Sequence, residues 1–129
     1  MAIAPARPDL HAHAQVARMD FASVADALRT LLGARLTAYI GTVNETRAVH
    51  GWAEGSRHPS ELTQQRLRHA LVIAMTVADA DGSEITQAWF QGLNPQLDDR
   101  SPARLLREGD LDDIGPSVTA AARAFLVGG

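Results

Sequence analysis

Between Leu67 and Ala78 the chain reads LRHALVIAMTVA, and its second half carries almost no polar side chain on any face. Ser60 stands where an N-cap belongs, and Leu62, Leu67, Leu71, Ile73, Met75 and Val77 continue the apolar pattern, so the spacing predicts a helix over 61–80. A helix that is apolar on every side must be covered on every side. Its apolar stretch is far too short to cross a bilayer. The remainder of a 129-residue chain therefore has to pack around it as one domain, or as two small ones sharing a core.

The flanking segments are helical too. Asp20 is placed to cap a helix carrying Val24, Leu28, Leu31 and Leu32 up to Gly33. A short helix over 34–40 closes at Gly41, where positive φ is expected. Asn44 then caps a third segment that runs to Glu54 and stops at Gly55. Beyond the central helix, Ser83 caps residues 84–90, Ser101-Pro102 opens a helix to Gly109, and Pro116 begins a last one over 117–126. Residues 110–114 read as a short acidic link, and 91–97 as a turn built on Gly92 and Asn94-Pro95. No stretch alternates with period two. The fold class is all-α, with seven or eight short helices in three parts: a flexible arm over 1–19, a helix-turn-helix-like region over 20–80, and a small helical region over 81–129.

Composition narrows function. The absence of cysteine excludes disulfides, thiolate metal sites and a cysteine nucleophile. A net charge of −3 argues against a wholly basic nucleic-acid binder, although residues 34–70 carry +2 and residues 71–129 carry −5. The N-terminus lacks a signal-peptide pattern, so a soluble, cytoplasmic protein is expected. His11 and His13 have no third ligand nearby and read as part of a solvated arm. His50, His58 and His69 are isolated, and Asp110, Asp112 and Asp113 read as a helix start or loop. No nucleophile, phosphate-loop, dinucleotide or metal motif is present, so we expect no enzyme activity, no cofactor and no metal.

Two segments carry functional signals. Residues 36–58, LTAYIGTVNETRAVHGWAEGSRH, have the outline of a helix-turn-helix. Val49 and Trp52 at i, i+3 should face inward, leaving Thr46, Arg47 and His50 outward, with Arg57 just beyond. Such a face can lie in a DNA groove, and it can equally be the solvated side of a helical hairpin. Gly51 weakens the second helix by up to ~1 kcal/mol relative to alanine.

The second signal is Trp89-Phe90, then Asn94-Pro95-Gln96-Leu97, then Ser101-Pro102-Ala103-Arg104-Leu105-Leu106 ending at Gly109-Asp110. This order of parts resembles the toxin-binding domain of the Xre/MbcA/ParS antitoxin family, over roughly residues 20–129. The family has glycine before the Ser-Pro pair where this chain has Asp98-Asp99-Arg100. The resemblance implies a type II antitoxin that neutralises a RES-domain, NAD-consuming toxin by blocking its active site. It also implies regulation of its own operon by DNA binding, and assembly as a homodimer and a larger complex with toxin. Asn94, Pro95, Leu97, Ser101 and Pro102, with Arg123, Phe125, Leu126, Gly128 and Gly129 of the last helix and tail, would then contact the toxin. On the residues alone, Trp89 and Phe90 read as core, and the prolines as turn formers. The acidic stretch 98–113 would suit a basic toxin cleft. The competing reading is a stand-alone helix-turn-helix regulator without a toxin.

Overall fold

The computed structural model describes residues 7–128. Eight α-helices follow in order: α1 (Pro8–Ala17), α2 (Phe21–Leu32), α3 (Ala34–Ile40), α4 (Thr46–Glu54), α5 (Glu61–Asp81), α6 (Ser83–Gln91), α7 (Pro102–Glu108) and α8 (Leu111–Leu126), with a single 3-10 turn at Pro95–Leu97. The class is all-α: among the described residues there is no strand, only one isolated bridge between Asn94 and Arg100. No described helix is long and apolar enough to cross a membrane.

The central helix is α5. Leu67, Ala70, Leu71, Val72, Ile73, Ala74 and Val77 are all buried, because α1, α2, α6 and α8 close around it. The buried apolar side chains form one cluster that runs from Ala12 to Ala122 and draws on residues either side of position 80. Several caps fall where the sequence puts them. Asp20 accepts from Ser23 N (3.0 Å), Ser60 from Thr63 N (3.2 Å) and Ser101 from Arg104 N (3.1 Å).

Other ends are closed by side chains from neighbouring helices. Arg68 Nη1 donates to Val16 O at the end of α1 (2.9 Å), and Gln87 Nε2 to Leu31 O at the end of α2 (3.0 Å). Arg107 Nη1 donates to Tyr39 O at the end of α3 (2.7 Å). Arg66 Nη1 reaches Leu106 O, Arg107 O and Gly109 O where α7 stops. Orphan carbonyls and the negative end of each helix dipole thus fix how the helices meet.

The structure corrects the sequence expectations at five places. Residues 8–17, expected within a flexible arm, form α1, with Ala12 and Val16 buried. The N-cap of α4 is Glu45, not Asn44, and that of α6 is Gly82, not Ser83. Gly41 has φ −77°, while the positive φ falls on Thr42 (60°). Gly41 is needed for another reason: a Cβ there would sit 2.9 Å from Trp52 Cη2, so the turn glycine lets the indole close the α3–α4 angle. Finally, Pro116 does not start the last helix. Asp110 caps it, accepting from Asp112 N (3.0 Å), and Pro116 lies inside its second turn.

Candidate functional site

On α4, Ala48, Val49, Gly51 and Trp52 are buried and Trp52 meets Phe21 edge-on at 6.1 Å. At 100° per residue the opposite arc holds Thr46, Arg47, His50 and Glu54. Arg47 and His50 are exposed, and Thr46 is half-buried at the edge of a cleft. The exposed Arg57 lays its stem over Gly51, where a Cβ would come within 2.5 Å of Arg57 Cδ. The mid-helix glycine therefore lets Arg57 lie against α4 at Gly51. His50 Nδ1 lies 2.9 Å from Arg29 Nη1 of α2. An arginine only donates, so Nδ1 accepts and the ring proton on Nε2 is the outward donor. Asp26 pairs with Arg29 (2.7 Å), and Glu54 shares the arc, so the face mixes charges.

In the second segment, most of the motif builds the loop. Asn94 is its hub. Its side-chain oxygen accepts from Gln96 N (2.9 Å), and its carbonyl accepts from Leu97 N and Asp99 N (both 2.9 Å). Its own N–H donates to Arg100 O (3.2 Å). Leu97 and Pro102 are buried, and Ser101 is spent capping α7. Asp98 and Asp99 take positive φ (56° and 61°), the conformation for which glycine is the default residue.

What this scaffold presents is a groove of about 310 Å³ between the α6 end, the 3-10 turn and the last turns of α8. Trp89 and Phe125 (ring centroids 6.3 Å apart), Leu93, Asn94 and Pro95 line it, with no charged side chain among the described residues that do so. Trp89 and Phe90 are buried, as core readings require. Of the nine candidate contact residues that are described, only Asn94, Pro95 and Phe125 come together here.

The remaining candidates lie elsewhere. Arg123 points away from the groove, 3.8 Å from Asp9 of α1 and beside His69. Leu126 is half-buried, Gly128 is exposed, and Gly129 lies outside the described residues. The acidic stretch is divided. Asp98 and Asp99 follow the 3-10 turn and are not among the groove's lining residues, whereas Asp110, Asp112 and Asp113 start α8, roughly 20 Å along the axis from Phe125 at 1.5 Å per residue.

Sequence reasoning missed Leu93 and Val127, which are 78% and 87% exposed. An apolar residue between Gly92 and the Asn-Pro pair has no helix face to bury it, and that was the available signal for Leu93. His69 bridges α5 and α8, its Nε2 3.1 Å from Gly115 O and 3.2 Å from Thr119 Oγ1. Burial holds its pKa below the ordinary imidazole value; repulsion from His13 adds to this and the Gly115 hydrogen bond opposes it. Among the described residues no three His, Asp or Glu side chains are grouped to hold a metal ion.

These features define a class: a small all-α module with a helix-turn-helix-like pair and an apolar groove at its other half. No family model matches the chain. It is 28% identical over 81 residues to the mycobacterial cidal antitoxin MbcA of Mycobacterium tuberculosis and of Mycobacterium bovis, covering 63% of this chain and 72% of each relative. Its fold matches a chain in the crystal structure of the M. tuberculosis MbcT–MbcA toxin–antitoxin complex. The TM-score is 0.62 at 26% identity, covering 80% of this chain and 94% of the other. By sequence and by fold the chain is related to the MbcA-type antitoxins.

Proposed function

We propose that this chain is a non-enzymatic, cytoplasmic antitoxin that binds a partner toxin through the groove lined by Trp89, Leu93, Pro95 and Phe125. The supporting observation is the match to a chain solved within a toxin–antitoxin complex. The groove has the anatomy of an interface core: aromatic and apolar anchors, with no charge inside. The toxin is of the RES-domain, NAD-consuming class, and binding closes its active site. The antitoxin acts as a homodimer within a larger complex with toxin.

Co-expression of the tagged chain with its neighbouring gene tests this. A stoichiometric complex, with cellular NAD⁺ falling only when this chain is absent, is the expected result. A chain that purifies alone beside a harmless neighbour overturns the reading.

A second reading, DNA binding by α4 to regulate its own operon, draws on the exposed arc of Thr46, Arg47 and His50 with Arg57 at its edge. If Arg47 makes a bidentate base contact, Arg47→Ala lowers specific affinity by about 1–3 kcal/mol. Equal loss on every sequence would instead mark a phosphate contact. DNA binding with no toxic neighbour would make the chain a stand-alone regulator.

A further inference from the structure

A second concavity, about 670 Å³, lies between α3, the start of α4 and the end of α7. Arg35, Tyr39, Thr46 and Arg107 line it together with Glu45 and Glu108. We propose that this cleft holds a phosphate of a duplex DNA backbone, with Arg35 and Arg107 as its ligands. The proposal rests on the DNA-binding reading of α4 and extends it to a residue of α7.

Three observations carry it. First, Arg107 is already oriented. Its Nη1 donates to Tyr39 O (2.7 Å), and its guanidinium carbon lies 4.7 Å from the centre of the Tyr39 ring. A planar fork fixed at one nitrogen keeps its other donors for an anion at little entropic cost. Second, Arg35 is exposed and its guanidinium makes no hydrogen bond or ion pair among the described residues. Glu108 is engaged by Arg104 (3.0 Å), so two guanidiniums face the single free carboxylate of Glu45. Third, Thr46 belongs both to this cleft and to the outward arc of α4. The cleft is therefore continuous with the face that would read bases, where backbone contacts set the register of a recognition helix. The alternative occupant, an acidic side chain of a protein partner, is an outcome of the test.

The 129-residue chain is titrated with a short random-sequence duplex over a salt series, since phosphate contacts carry no sequence information. The double variant Arg35→Gln/Arg107→Gln is expected to reduce the slope of log affinity against log salt by about 0.9, the value of one phosphate, and each single variant by part of that, alike on all duplexes. A four-fold rise in salt then costs the double variant about 3.5-fold less affinity than it costs the parent. Arg123→Gln, on α8 and outside the cleft lining, leaves the slope unchanged. Arg107 also closes α3, so its helicity and melting are followed in parallel; Arg35 has no such role, and its variant decides the question if Arg107→Gln unfolds.

If the parent binds DNA and Arg35→Gln keeps the parental slope, the cleft assignment falls while the DNA reading stands. If toxin binding weakens instead, with the DNA slope intact, the cleft takes a protein carboxylate and the proposal is overturned. If the parent binds no duplex at low salt, both are wrong.

Discussion

The α3–α4 turn and the α6–α7 connection solve the same problem differently. Each reverses the chain using non-glycine residues at positive φ, Thr42 in one and Asp98 with Asp99 in the other. The α3–α4 turn makes two backbone hydrogen bonds of its own, Thr42 N to Tyr39 O and Val43 N to Ala38 O, but has no side-chain hub, and its angle is set by the Trp52 indole packed against Gly41. The α6–α7 connection is held by hydrogen bonds converging on Asn94. The consequence is functional. Where packing along a helix sets the geometry, spacing alone separates inward from outward residues, and Arg47 and His50 face solvent as expected. Where a loop is knit by its own hydrogen bonds, the motif residues are consumed in making the shape, and the surface is presented by their neighbours Leu93 and Pro95.

The harshest test of that contrast removes each keystone. Trp52→Ala is expected to cost about 3–5 kcal/mol and Leu97→Ala about 2–5 kcal/mol in urea denaturation, since both side chains are nearly fully buried. Asn94→Ala should cost about 1–2 kcal/mol, the value of a lost cap. If Asn94→Ala is silent, hydrogen bonding does not hold the loop and the contrast fails. Leu93→Ala is the complementary variant. It should leave stability within about 0.5 kcal/mol, because Leu93 is exposed, yet weaken toxin binding by more than about 1 kcal/mol as an interface anchor. Isothermal titration with the co-purifying toxin gives the second number, and unchanged affinity would remove Leu93 from the interface.

A smaller difference separates the two turns. A β-branched residue is poorly suited to positive φ, whereas aspartate visits that region more readily. Thr42→Gly should therefore stabilise by about 0.5–1 kcal/mol, and Asp98→Gly by less. A larger gain at Asp98 than at Thr42 in thermal melts would mean that the loop, not the helix pair, carries the backbone strain.

Most of the fold was legible because its signals are local. Asp20, Ser60 and Ser101 are caps whose partners lie three residues on, and the apolar run of α5 announces a core helix without reference to anything else. What was not legible depends on distant partners. In α1, Ala12 and Val16 make a weak pattern, and the helix is secured by packing on α5 and by Arg68 capping from it. Pro116 reads as a helix start because proline favours the first turn, but Asp110 caps the chain earlier. The groove joins α6 to α8 across more than thirty-five residues, so nothing in the spacing brings Phe125 to Trp89 or turns Arg123 away toward Asp9.

The mildest expected effect is acid-dependent and lies in the seam between α5 and α8, outside both turns. His69 Nε2 faces the Gly115 carbonyl, which only accepts, so the folded protein holds the neutral ring with its proton on Nε2. His13 from α1 and Arg68 of α5 line one flank of the ring, and Asp112 and Arg123 of α8 the other. Burial lowers the folded pKa beneath the unfolded value near 6.5. The unfolded chain therefore takes up the proton first as pH falls. The contribution of the neutral ring is fully present above about pH 6.5 and is lost below it, as pH drops toward and through the folded pKa. His69→Gln keeps a donor for Gly115 and removes the titration. Its stability should match the parent's more closely near pH 5 than near pH 7.5. A parallel offset at both pH values would show that the Asp112 carboxylate compensates the imidazolium, and that the seam does not sense acid.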